Sequence, residues 1–179
     1  MNRSKEIWEW IRAITVAVVL ALLIRSFIVE VFVVDGGSMY PTLENCNRLV
    51  VDKISYRFNE PCYGDIVVFD SQIGSKPFIK RVIGTGGDRI EIRSGKVYRN
   101  ETAVEEPYLM GQTDYQDYGP VEIPPGYFFL MGDYRRNSKD SRDPQVGLVS
   151  RERIMGRACL VFWPPAEAKM LGARTAAVD

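Results

Sequence analysis

An uncharged apolar block at residues 14–24 (ITVAVVLALLI) gives way after Arg25 to short runs of β-forming residues closed by turns, and this switch constrains the fold more than any other feature. The block has no polar face, so it needs apolar surroundings on every side, whereas the short runs suit strands that bury one or both faces in a sheet. The runs cover residues 27–34, 49–54, 66–69, 78–84, 89–93, 96–99, 127–131 and 158–163. Arg89-Ile90-Glu91-Ile92-Arg93 alternates cleanly, and Ser94-Gly95 turns the chain into Lys96-Val97-Tyr98-Arg99, the pattern of a β-hairpin. Helical periodicity is scarce after the block. The expected fold class is mainly β: a compact antiparallel sheet, barrel-like, preceded by one N-terminal transmembrane helix. Residues 101–125 are polar, acidic and punctuated by Pro and Gly, and read as a long loop or a small excursion, not a second core.

Extended back to Ile7, the apolar block makes a helix of roughly 27 Å at about 1.5 Å per residue, near the thickness of a bilayer's hydrocarbon core. Trp8 and Trp10 suit the headgroup belt, and Arg12 and Arg25 reach for opposite interfaces. A cleaved leader is the competing reading, but residues 25–32 (RSFIVEVF) hold no small-x-small cleavage site. Arg3, Lys5 and Arg12 precede the block and Arg25 alone follows it before Arg48, an asymmetry that places the N-terminus in the cytoplasm. The expected organisation is a cytoplasmic N-terminus and signal anchor over 1–26, an extracytoplasmic β-rich domain over 27–165 and a C-terminal tail over 166–179. The lipid bilayer is one expected partner.

Twenty-three basic residues balance 23 acidic ones, so nucleic acid has no electrostatic support as a partner. With no histidine in the chain, every Ser-His-Asp scheme is excluded. Cys46, Cys62 and Cys159 are an odd set without metal-ligand spacing, which calls for neither metal nor cofactor nor disulfide framework. They read as buried small apolar residues, with a Cys46–Cys62 bridge as the alternative.

Two residues carry chemistry without imidazole. Ser38 follows Gly36-Gly37, a turn that exposes a hydroxyl, although an ordinary Gly-Gly-Ser turn has the same look. Lys80 interrupts the apolar run Phe78-Ile79-Lys80-Arg81-Val82-Ile83 and shares a strand face with Phe78 and Val82. Such a lysine is commonly an edge-strand gatekeeper; desolvated instead, it has a depressed pKa and can act as a base.

Four segments occur in order: Ser38-Met39-Tyr40-Pro41-Thr42-Leu43; Gly64-Asp65-Ile66-Val67-Val68-Phe69; Ile79-Lys80-Arg81-Val82-Ile83-Gly84 with Gly87-Asp88; and Gly132-Asp133 with Asn137-Ser138-Lys139-Asp140-Ser141-Arg142. In this order, after an apolar N-terminus, they resemble the signature boxes of bacterial type I signal peptidases, over about residues 14–158. The resemblance implies a membrane-bound serine endopeptidase that cleaves signal peptides from exported preproteins after small residues. It maps Ser38 onto the nucleophile and Lys80 onto the general base. It makes Ser138 a hydroxyl that positions the lysine amine, and Asp133, Asp140, Arg142 and Arg81 an ionic scaffold. Phe32, Val34, Met39, Leu43, Phe78 and Ile79 match pocket-lining positions, and residues 32–35 and 77–80 offer edges to an added peptide strand.

Three positions depart from the family pattern: Gly36 replaces a Ser or Thr whose hydroxyl assists the oxyanion, Thr85-Gly86 replaces a common Leu-Pro, and Val31 a common Pro. A self-cleaving Ser-Lys repressor lacks support, since it needs a helix-turn-helix where this chain has its apolar block. A membrane-tethered binding domain with inactive boxes is the other alternative.

Overall fold

A computed structural model describes residues 3–111 and 116–172. Helix α1 (Arg3–Phe27) runs 25 residues and exposes Ile7, Ile14, Val16, Val18, Val19, Leu20, Leu22 and Ile24. Among the described residues no helix is long and apolar enough to cross a membrane. The uncharged stretch of α1 is confined between Arg12 and Arg25, short of the roughly 20 residues a span requires. The expected interfacial reach of Arg25, and the side chain of Lys5, lie outside the described side chains.

The remainder is mainly β. The strands are β1 (Val29–Val33), β2 (Arg48–Asp52), β3 (Ile66–Phe69), β4 (Phe78–Thr85), β5 (Arg89–Arg93), β6 (Lys96–Arg99), β7 (Thr102–Ala103), β8 (Tyr118–Glu122), β9 (Tyr127–Met131), β10 (Val149–Ser150), β11 (Ile154–Trp163) and β12 (Lys169–Met170), with a one-turn α2 at Ser55–Phe58. One sheet has the order β1-β2-β11-β3-β4-β9-β10, with β12 also paired to β11; its pairs are antiparallel. It curls, so that β1 and the start of β4 face each other across a groove although three strands separate them in the order. Val34, Met39, Leu49, Val51, Ile66, Val68 and Val161 fill one side of this sheet, and Val67, Phe69, Val82, Phe128, Leu130 and Val149 fill another cluster.

A second sheet, ordered β7-β6-β5-β8, has its own core of Ile83, Ile90, Ile92, Val97, Ile123, Phe129 and Met131. Its hairpin is the expected one, with Ser94 and Gly95 both at positive φ (50° and 71°). Residues 101–125 are therefore not only a loop. Strand β8 lies within them, its Gly119 and Pro120 absorbed where the register against β5 slips between Ile90 and Ile92. Gly84 marks the crossing of the two sheets, since a Cβ there would stand 2.5 Å from Ile123 Cδ1.

One further expectation is corrected. Cys46 and Cys62 are exposed and Cys159 half-buried, all three as free thiols, because Cys46 sits on a turn at φ 69° and Cys62 in the loop before β3. Within the expected tail β12 pairs with β11 and Leu171 is buried, while residues 173–179 lie outside the described residues.

Candidate active site

Ser38 lies on the turn that follows β1. Tyr40 N–H donates to Gly37 C=O at 3.1 Å and Leu43 N–H to Met39 C=O at 2.9 Å, which winds the chain tightly around Ser38. Gly36 enters the turn at φ +97°, a conformation natural to glycine, and its N–H is held by Asn45 Oδ1 at 2.9 Å. Met39 and Leu43 are buried beneath, fixing the turn to the core while Ser38 stays half-buried.

Lys80 comes from β4, opposite Val67 of β3. Only 4% of it is exposed, and its Nζ donates to Ser38 Oγ at 2.7 Å and to Ile79 C=O at 3.0 Å. Its strand neighbours Phe78 and Val82 share one apolar cluster and Ile79 another, as alternation requires. Burial pushes the Lys80 pKa from 10.5 down to about 8, opposed by the charges of Asp140 and Asp133 and aided by Arg142. At pH 7 that leaves about a tenth of the amine neutral, where an ordinary lysine has well under a thousandth.

Two guanidinium–carboxylate forks, the first buried and the second partly buried, brace the pair. Arg81 donates from Nε and Nη2 to Asp133 at 2.8 and 2.6 Å, bonds Gly64 C=O at 3.0 Å, and stacks on Tyr108 with 3.9 Å from Cζ to the ring centroid. Thr42 Oγ1 donates to the same Asp133. Arg142 donates twice to Asp140, both at 2.8 Å, and Asp140 in turn accepts Gly132 N–H at 3.0 Å. Tyr134 N–H then donates to Ser38 C=O at 3.0 Å, joining the braced segment to the Ser38 turn.

Ser138 is brought close but does not make the expected bond. Among the described residues its buried Oγ has no hydrogen-bond partner, and the side chain closes over Gly132 instead of reaching the amine. Of the expected pocket residues, Phe32, Val34, Met39, Phe78 and Ile79 line a groove of about 390 Å³ that also contains Ser38 and Lys80. Leu43, fully buried, is core and does not line it. The groove runs between two backbone edges that no strand pairs among the described residues, the outer edge of β1 and the Phe78–Lys80 part of β4, which β9 joins only from Arg81 onward.

Sequence reasoning missed Thr42, Tyr108 and the buried pair Arg135–Glu106, in which Nη1 donates at 2.8 Å while Nε holds Gly132 C=O at 3.1 Å. Thr42 stood inside the first box and was readable there. Glu106 and Tyr108 lie in an aperiodic segment whose path alone delivers them. Among the described residues no group of His, Cys, Asp and Glu is arranged to hold a metal ion.

Residues 7–163 match the family described as "Signal peptidase, peptidase S26". Signal peptidase I S of Bacillus subtilis (strain 168) is 43% identical over 176 residues, covering 92% of this chain and 93% of that protein. Signal peptidase I of Bacillus amyloliquefaciens is 41% identical over 172 residues, covering 91% and 89%. A crystal structure of a signal peptidase I from Enterococcus faecalis V583 is 28% identical with a TM-score of 0.49, covering 55% of this chain and 97% of that one. Because the family match and the two Bacillus likenesses run through nearly all of the sequence, the chain belongs to the signal peptidase family, peptidase S26.

Proposed function

We propose that the chain removes signal peptides from exported preproteins, with Ser38 as nucleophile and Lys80 as general base. The observation that carries this reading is the 2.7 Å contact between Lys80 Nζ and Ser38 Oγ, at a lysine whose burial brings its pKa down to about 8. Once the amine is neutral the same contact reverses: Ser38 O–H donates to the nitrogen lone pair and Oγ attacks the scissile carbonyl. The ammonium returns its proton to the departing amine, and water later hydrolyses the acyl ester with Lys80 again accepting a proton. The Ser38 N–H is the donor to the developing oxyanion, and Gly36 adds no side-chain donor. Arg81, Asp133, Asp140 and Arg142 hold the geometry, and Ser138 closes the site over Gly132.

The substrate enters the groove as an added strand. Val34 bonds toward the loop before β2, which leaves Val33 and Asp35 backbone groups facing the groove, and the Ile79 N–H faces it from β4. Phe32, Val34, Met39, Phe78 and Ile79 leave room for small side chains at the first and third positions before the cut. Residues 1–26 act as a membrane anchor, with the catalytic part, residues 27–165, outside the cytoplasm: apolar side chains on all sides of α1 are stable only in apolar surroundings, and Trp8 and Trp10 suit the interface.

Incubating the purified chain with a preprotein and sequencing the new N-terminus tests the reading. Cleavage after a small residue is expected, and Ser38→Ala is expected to abolish it. Product formed at the wild-type rate by Ser38→Ala would refute the assignment.

A further inference from the structure

A second cavity, of about 520 Å³, is walled by Tyr40, two residues past the nucleophile, and by Leu109, Met110, Asp133, Tyr134 and Arg136 among others. It is tied to the backbone around the Ser38–Lys80 pair at two points. Tyr134 N–H donates to Ser38 C=O at 3.0 Å, and Asp133 carries the fork to Arg81, the residue after Lys80. Met39 lines the first groove and Tyr40 the second cavity, so the turn through Ser38, Met39 and Tyr40 is the ridge between them.

The reach fits a peptide that crosses this ridge. Two virtual bonds of 3.80 Å keep the Tyr40 Cα within about 7.6 Å of the Ser38 Cα, and an extended peptide advances about 3.3 Å per residue. The second or third residue past the cut is therefore within reach of Tyr40. There the Tyr40 and Tyr134 rings stand 6.3 Å apart at 68°, giving an edge-to-face corner. Tyr40 is 44% exposed, Tyr134 43% and Met110 70%. Rigid aromatics and a pliable methionine grouped at a cleft offer a large contact area at a small entropic cost. The buried charges beside them are already matched, Asp133 with Arg81 and Arg135 with Glu106, and Arg136 stands exposed on the wall, so the corner between the two rings and Met110 is the apolar part of the cavity.

We propose that this cavity binds the residues immediately after the scissile bond, the first few of the mature product, with preference for an apolar or aromatic side chain at the second or third. Tyr40, Tyr134 and Met110 are then specificity-determining residues on the leaving side. The inference rests on the peptidase reading above.

The test uses two peptides identical up to the cut, one ending a single residue after it and one continuing for four residues with leucine at the third. The wild-type chain is expected to cleave the longer with about tenfold higher kcat/KM. Tyr40→Ala combined with Tyr134→Ala, which keeps the Tyr134 N–H on Ser38, is expected to bring that ratio to about twofold or less. Met110→Ser, at a well-exposed position that does not threaten folding, is expected to lower it in the same direction. A ratio near one in the wild type, or a wild-type ratio retained by Met110→Ser and by the folded double variant, would overturn the inference. Cleavage of neither peptide by the wild type would overturn the peptidase reading and this inference with it.

Discussion

Gly132→Ala adds one methyl group at the tightest point of the site. Gly132 is not at positive φ, so alanine suits its backbone and the requirement for glycine is spatial. A Cβ there would sit 2.4 Å from Ser38 O and 2.2 Å from Ser138 Oγ, where real Cβ atoms essentially never come within 3.0 Å. Ser138 can swing aside, but the Ser38 carbonyl is backbone and must retreat by at least about 0.6 Å (3.0 minus 2.4), carrying the turn that aims Oγ. Misplacement on the order of 1 Å costs on the order of 100-fold in rate, equivalent to about 2.7 kcal/mol of barrier. Overpacking also costs about 1–3 kcal/mol of stability. Steady-state kinetics on a signal-peptide substrate, with a thermal melt on the same sample, is expected to show a folded variant with kcat about 100-fold lower and KM little changed. A folded variant with kcat within about twofold of wild type would refute the claim that the segment at Gly132 sets the position of Ser38.

Asp133→Ala strips the buried Arg81 fork and Thr42 of their shared acceptor; a loss of about 3–5 kcal/mol is expected in denaturant unfolding, and a loss below about 1 kcal/mol would contradict the bracing role. Gly36→Ser meets no atom within 4 Å but forces φ +97° on an L-residue, so about 1–3 kcal/mol of strain is expected as a lowered unfolding midpoint; an unchanged midpoint would argue against it. A chain beginning at Phe27 is expected to cleave soluble peptides at the full-length rate and membrane-bound preproteins more slowly. Equal efficiency on both would count against α1 as an anchor.

Strands were legible where side-chain alternation and turn chemistry coincide, as in Arg89–Arg93 and its Ser94-Gly95 turn. Tyr118–Glu122 was hidden because Gly119-Pro120 signals a break, and only the bulge against β5 lets a strand carry both. Two-residue strands such as Lys169–Met170 exist through pairing alone and leave no periodic trace. Ser38 and Lys80, 42 residues apart, meet through sheet curl, so alternation placed Lys80 on its face but only the resemblance linked it to Ser38. The exposed Cys46 and Cys62 were misjudged because a small sulfur residue in a turn carries no burial signal of its own. Glu106 and Tyr108 depend on a loop's path across the site, which no local pattern encodes.

The pH dependence of kcat/KM, measured for the wild-type chain and Lys80→Arg, bears on the Ser38–Lys80 mechanism itself. The neutral amine is the base, so activity is absent well below the Lys80 pKa, rises with pH through it and levels above it. Burial places that limb at about 8, against 10.5 for an unperturbed lysine. Lys80→Arg keeps a cation that does not deprotonate at usable pH, and is expected to remain folded and inactive throughout. A wild-type limb at or above 10, or a Lys80→Arg variant retaining substantial activity with the same limb, would contradict the mechanism and leave Ser38 without its base.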